Sequence, residues 1–385
     1  MLFSTEEGPR KPSIQHSLFS IQHFPVPPSR HNPGLNWFAL FVTAATFPLI
    51  FIGGLVTSHG AGMAVPDWPN SYGYNMFLFP PSKWVGNIWY EHVHRLYASL
   101  IGLLSIGLCL WAWIGDRRPR VRWLATAVLA GVIVQGVLGG LRVVLVKLDL
   151  AIVHGCVAQA FFCLCALVVI VTSRWWADAP DLSQSKERPA GDRIVRLAVL
   201  AVVVVYCQLI VGAVMRHEQA GLAIPDLPLS YGKVLPPGND SALLAAQLRF
   251  AGGDPLRLAN PPFTLAQVWL AFGHRLGAIV VSLTLMLSVY KVIRLNRGRP
   301  SLLGLGVVLV GLLLIQLTLG VLTVLLGKPA DVASAHVAVG ALVLVTTFTL
   351  AARAVRLYRP RSASDSITPR RGFEIGFVPD HLLRS

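Results

Sequence analysis

The chain has 385 residues, of which 54% are hydrophobic and only 13% charged, against about 25% charged in an ordinary soluble domain. That balance excludes a water-soluble globular fold and makes the bilayer the expected solvent. The formal net charge of +15 falls in alternate connections between apolar runs, so it reports topology and no nucleic-acid partner is expected.

Residues 1–35 carry Glu6, Glu7 and several prolines. They show neither the apolar core of a signal peptide nor the acid-poor, Arg-rich pattern of a transit peptide, and are expected to be a disordered cytoplasmic tail. Apolar runs of about 20 residues, the length that crosses a bilayer, follow at 36–57, 89–114, 121–144, 150–172, 193–215, 266–291, 301–325 and 331–353. Arg117, Arg118, Arg120 and Arg122 link the second and third runs; Arg174, Lys186, Arg188, Arg193 and Arg196 link the fourth and fifth. Lys291, Arg294, Arg297 and Arg299 follow the sixth, and Arg353, Arg356, Arg359 and Arg361 the eighth. By the positive-inside rule these connections and both termini are cytoplasmic, and the other connections lie outside. Cys109, Cys156, Cys163, Cys165 and Cys207 all fall within predicted spans, so no structural disulfide in an outer loop is expected.

The chain is a duplication. Residues 54–73 (GLVTSHGAGMAVPDWPNSYG) and 212–232 (GAVMRHEQAGLAIPDLPLSYG) align with one gap, pairing His59 with His217, Asp67 with Asp226 and Tyr72 with Tyr231. His94-Arg95-Leu96 matches His274-Arg275-Leu276, Gln135 and Gly139 match Gln316 and Gly320, and His154 matches His336. Shared apolar composition does not explain polar loops that repeat. Four spans per unit is an even number, so both units enter the membrane the same way round and the pseudo-two-fold axis runs along the membrane normal. The fold class is therefore all-α integral membrane, with eight transmembrane helices as two pseudo-symmetric four-helix bundles. They span 36–172 and 193–353, joined by a cytoplasmic linker at 173–192 and followed by a cytoplasmic tail at 354–385. Small residues such as Gly53, Gly54, Gly139, Gly140, Gly212 and Gly320 allow close approach of backbones. The outer loop at 233–265, rich in Asp, Gly and Pro, reads as loop variation.

His94, His154, His274 and His336 each fall in the first turns of a span that starts outside, so all four lie at one depth. An ionisable side chain within a span is costly and by default functional, and neutral imidazole ligates metals and haem iron. Within each half, two helices running in the same direction present one histidine apiece, an arrangement suited to a flat macrocycle with one imidazole on each face of its iron. No Cys or carboxylate cluster completes a zinc set. His59 and His217 stand at the starts of the outer loops, either over a macrocycle edge or in solvent. His92 points away from His94 around the helix and is read as non-ligating.

The halves differ at Glu91, one helical turn before His94, where the second half has Ala271. That difference suggests one chemical site and one electron-transfer or structural site. Arg95, Arg275, Arg142 and Arg216 are candidate partners for haem propionates, since Arg offers a bidentate fork to carboxylates.

With these residues in place the chain resembles the haem A synthase family of aerobic bacterial and mitochondrial inner membranes over about residues 36–353. The resemblance is carried by EHVHR at 91–95, VPDWPNSYG at 65–73, IVHG at 152–155, GHRL at 273–276 and AHV at 335–337. It implies oxidation of a ring methyl of haem O to a formyl group, by successive hydroxylations, to give haem A for terminal oxidases. By position, Glu91, His94 and His154 belong to the substrate-haem site of the first half, whereas His274 and His336 ligate a resident haem b in the second. The implied partners are membrane lipid, haem O, an unidentified electron donor and haem O synthase as the source of an insoluble substrate. The implied setting is a bacterial inner (plasma) membrane with the sites toward the periplasmic side. Some members carry a cysteine pair in the first outer loop; residues 58–88 contain none. The competing expectation is a quinol-linked di-haem b electron carrier that leaves its haems unmodified. A transporter is disfavoured because the polar residues cluster at the outer rim and no paired broken helices are evident.

Overall fold

The computed structural model describes residues 31–295 and 300–360. Most of the two predicted tails, with Arg297, Arg299 and Arg361, lies outside the described residues. The helices are α1 Pro33–Ser58, α2 Asn87–Gly115, α3 Pro119–Val144, α4 Leu148–Thr172, α5 Arg174–Asp178, α6 Arg188–His217, α7 Asp240–Phe250, α8 Leu265–Leu295, α9 Pro300–Leu325 and α10 Ala330–Tyr358. All but α5 and α7 are long and apolar enough to cross a membrane, which makes eight spans among the described residues. Even α4, with 25 residues, rises about 37 Å at ~1.5 Å per residue, more than the ~30 Å hydrocarbon core.

The expected spans and the observed ones coincide apart from their ends. α6 begins at Arg188 and α10 runs on to Tyr358, so part of the predicted linker and of the C-terminal tail is helix. Backbone hydrogen bonding carries a helix past the hydrocarbon boundary that a hydrophobic run marks. Arg353 and Arg356 consequently sit near the end of α10 and lie over the rings of Trp175 and Trp176, at 4.8 and 5.4 Å. The outer loop before α8 also holds more structure than its composition suggests. Asn239 caps α7 by accepting the Ala242 N–H at 2.9 Å, and α7 buries Leu243 and Ala246 against Ala220, Ala223, Ile224 and Tyr231.

Helices α1 to α4 pack in a closed ring, and α6, α8, α9 and α10 form a second. The rings meet where α10 packs on α1 and α4, and α4 on α6. At this seam the hydroxyls of Ser58 and Ser334 lie 3.1 Å apart, and Arg216 donates to the Gly54 carbonyl and to Ser58 Oγ. The hydrophobic core of the first ring, with Leu35, Val42, Ile101, Leu108, Val121, Val128 and Phe161, lies toward the end where α1 begins. The second ring repeats this with Ile194, Val292, Leu302, Leu309, Leu350 and Leu357. Close packing thus fills one end of each bundle, and the polar residues gather at the other. All five cysteines are free.

Candidate functional site

Helices α2, α4, α8 and α10 begin at the same end of the molecule and carry His94, His154, His274 and His336 within their first three turns. His94 lies within electrostatic reach of His154, and His274 of His336. Each ring rests against a glycine on the preceding span. A Cβ added at Gly53, Gly139, Gly212 or Gly320 would stand 3.1, 3.3, 3.0 or 3.1 Å from the Cε1 of His94, His154, His274 or His336, respectively. Four glycines thus seat four histidines, a tighter purpose than the general helix contact their sequence suggests. Gly54 does serve helix contact, against Ser334, whereas Gly140 makes room for the indole of Trp68 from the outer loop.

The four imidazoles are half-buried, and Nδ1 of His94 and of His336 has no hydrogen-bond partner. Among the described residues no three His, Cys, Asp or Glu converge as a metal cluster. Two seated imidazoles per bundle, without a third ligand, fit a haem iron held from both faces and do not fit a tetrahedral metal. The donor set agrees in number, type and placement with one macrocycle per half.

Glu91 is 2% exposed and both its oxygens are held: Oε2 accepts the Val65 N–H at 2.9 Å and Oε1 accepts from Arg95 at 2.9 Å. Arg95 also donates to the carbonyls of Val65, Asp67 and Asn70 at 2.7–3.0 Å. Arg275 repeats this with the carbonyls of Ile224, Asp226 and Leu229 at 2.8–2.9 Å. Both guanidiniums therefore clamp the outer loops. Sequence offered Arg95 and Arg275 as propionate partners; the structure gives both a second task that sequence did not offer, holding the carbonyls of the Pro-Asp loop that wraps back onto them.

Each loop is closed by its aspartate. Asp67 accepts from the N–H groups of Tyr72 and Gly73 at 2.7 and 2.8 Å, and Asp226 from those of Tyr231 and Gly232 at 2.7 and 2.8 Å. Tyr72 and Tyr231 take up positive φ in these turns, at 51° and 54°, and their hydroxyls donate to the carbonyls of Ala64 and Ala223. Burial works to raise the pKa of Asp67, but the N–H groups of Gly73 and Tyr72 outweigh it and hold the carboxyl below the usual range.

Arg142 lies within electrostatic reach of Glu91, His94 and His154 and donates to the Gly62 carbonyl at 3.2 Å. Arg216 crosses the seam as described. His59 and His217 each hydrogen-bond through Nδ1 to their own helix, at Leu55 and Ala213 (3.0 and 2.9 Å). His92 is buried between Phe79 and Trp84, with Nδ1 3.3 Å from Ser71 Oγ, and faces the loop. Sequence reasoning paired Gln135 with Gln316 without seeing that they stand at the histidines, and missed Gln208. Gln208 lies 3.1 Å from Nδ1 of His274 and donates to that residue's carbonyl at 2.8 Å. Gln135 stands 3.1 Å from Nδ1 of His154, and Gln316 3.4 Å from Nε2 of His336. A lone glutamine within a run of Val, Leu and Ile was the available signal.

Fold and site together define a multi-pass helical membrane protein with two paired-histidine sites suited to haem. The sequence profile of the cytochrome oxidase assembly protein family matches residues 36–348. A "Heme A synthase" of Shouchella clausii is 30% identical over 210 residues, covering 53% of this chain and 66% of that relative. One from Geobacillus kaustophilus is 26% identical over 270 residues (69% and 74%), and one from Shewanella oneidensis 26% over 276 residues (67% and 79%). The chain belongs to the haem A synthase family.

Proposed function

We propose that the chain converts haem O to haem A, oxidising one ring methyl to a formyl group by successive hydroxylations at the first-half site. The observation that carries this reading is Glu91, a buried carboxylate held one turn from His94, at a place where the otherwise matching second half has Ala271. His94 and His154 hold the substrate haem, seated by Gly53 and Gly139. Arg95 and the Val65 N–H fix the carboxylate, so its charge is already in place as the methyl carbon becomes electron-poor, or its free lone pairs are in place to take the departing proton. Arg142, beside both histidines, is the cation placed to meet a haem carboxylate.

His274 and His336 hold a resident haem b, which supplies one-electron redox chemistry when bound. The oxidant and the electron donor come from outside the chain. The apolar spans suit a substrate that bears a long isoprenoid tail. The sites face the periplasmic side of a bacterial inner membrane, because the Arg-rich connections lie at the opposite end. The test is to purify the protein from cells that make haem O, extract its haems and separate them by chromatography with mass detection. Haem A or its alcohol precursor supports the reading; unmodified haem b alone, with haem O plentiful, makes the protein a di-haem electron carrier.

A further inference from the structure

We infer that Lys328 and Arg216 form the carboxylate-binding subsite of the second-half haem, with Lys328 in the place that Arg142 holds in the first half. The inference rests on the proposed ligation by His274 and His336 and deepens it, naming what holds the anionic edge of that macrocycle.

The two halves reach one arrangement through different residues. Gly62 and Gly221 are counterparts in the repeat, each within a short 3₁₀ turn at the start of its outer loop. Over Gly62 lies the Arg142 guanidinium, 3.0 Å through Nη2 from where a Cβ would stand. Arg142 comes three residues after Gly139; three after Gly320 the second half has Thr323, whose hydroxyl donates back to the Leu319 carbonyl. The cation missing there is supplied by Lys328, whose side chain lies over Gly221 with Cδ 3.5 Å from an added Cβ.

The backbone turns Lys328 inward. Lys147 and Lys328 are counterparts that close the helix before them, their N–H groups donating to the carbonyls of Arg142 and Thr323 at 3.3 and 2.7 Å. There they part. Lys147 is extended, with φ −109°, leads straight into α4 and is exposed. Lys328 takes up φ 62°, and one further residue, Pro329, precedes α10. Its side chain is half-buried, and Nζ donates to Gln219 Oε1 at 3.1 Å.

A second cation stands beside it. Arg216 lies within electrostatic reach of both Lys328 and His336, and its bonds across the seam leave from Nη2 alone. Among the described residues neither cation forms an ion pair with a carboxylate; Asp331, three residues from Lys328, accepts the Val332 N–H instead. Burial and the neighbouring Arg216 hold Lys328 below the usual lysine range. In the first half Arg142 has Glu91 within reach, whereas the second half has Ala271 at that place. Two partly buried like charges are costly until an anion joins them, and haem brings two carboxylates. Because Arg216 lies by His336, the anion is a carboxylate of the macrocycle on that histidine and not a lipid phosphate.

The experiment is an optical redox titration of the purified full chain carrying both haems, with infrared difference spectra of protein whose haem is isotopically labelled at its carboxylate carbons. Arg216 also ties the seam, so Lys328 carries the test. Lys328→Met is expected to lower the midpoint potential of the second-half haem by about 59 mV, a tenfold change in a one-electron equilibrium, because losing a positive charge favours ferric iron. It is also expected to shift a labelled carboxylate band and to leave the first-half haem unchanged. Arg142→Met is expected to act on the first-half haem alone. Lys328→Arg keeps both readouts, and Gln219→Ala, which removes the hydrogen-bond partner and leaves the charge, moves them little. Pairing Lys328→Ala with Thr323→Arg puts the cation where the first half carries it and is expected to restore both. No shift in the Lys328→Met protein, a potential shift with the labelled bands unmoved, or a full effect from Gln219→Ala overturns the inference. Loss of bound anionic phospholipid from Lys328→Met with its haem bands unchanged overturns it in favour of a lipid headgroup. Absence of any haem dependent on His274 or His336 overturns the ligation reading with it.

Discussion

In the first half the helix that carries His94 also carries Glu91, His92 and Tyr97; in the second, the helix that carries His274 has Ala271, Phe272 and Gly277 at those positions. Around these differences the frame is the same. An arginine clamps a Pro-Asp loop, an aspartate closes it, a glycine seats each histidine, and the packed core lies at the far end. Even the loop partners follow the pattern of change: Ser71 meets His92, whereas Ser230, facing a half with Phe272, keeps a buried hydroxyl without a partner. The duplication keeps the seated histidines and the clamped loops, and among these differences the side chains next to His94 stand out. A buried carboxylate beside His94 distinguishes the first half; an alanine stands at its place in the second.

The largest test of that contrast is Glu91→Gln, which keeps the shape and the Val65 hydrogen bond and removes the charge. Conversion of haem O is expected to fall by about 10²–10⁴-fold, the range for loss of an acid–base group, with both haems still bound in extracted-haem analysis. Retained turnover would sink the role given to Glu91. Removing the clamp comes next. Arg95→Ala leaves Glu91 buried without its cation, a loss of about 3–5 kcal/mol, whereas Arg275→Ala abandons only carbonyls and is expected to cost less. Thermal unfolding of the two purified variants reads the difference, and equal shifts would erase the asymmetry.

Gly53→Ala brings a methyl group against His94 and is expected to cost about 1–3 kcal/mol and to shift the first-half haem spectrum while leaving the second-half spectrum unchanged. The smallest effect is pH-dependent. Asp67 has a depressed pKa in the folded protein, so its contribution is present above the unfolded value of about 3.9 and is lost as pH falls through the folded value. Asp67→Asn is expected to flatten that acid limb of stability while changing little at neutral pH, as followed by acid unfolding of the two proteins.

The spans were legible because bilayer thickness imposes a length on each apolar run. The repeat was legible because polar loop residues recur in register, and the four histidines followed from it. Helix α7 was not, since a short helix held by Leu243 and Ala246 against a neighbouring loop leaves only a weak trace in composition. The partners of Arg95 and Arg275 were hidden too. An arginine near a site matches a propionate and a carbonyl equally well, and sequence does not carry the path of the loop that brings Val65, Asp67, Ile224 and Asp226 onto these two. Gln208 escaped notice because its counterpart four residues before Gly53 is Leu49, so the repeat that brought out Gln135 and Gln316 passed over it.

The measurement that bears most directly on two sites with divided roles is haem analysis of two double variants, His94→Ala/His154→Ala and His274→Ala/His336→Ala, each purified from cells that make haem O. The first is expected to retain haem b and hold neither haem O nor haem A, and the second to lose haem b while its first-half pair still binds haem O. Haem A formed by the first variant, or haem b lost from it and kept by the second, would contradict the account.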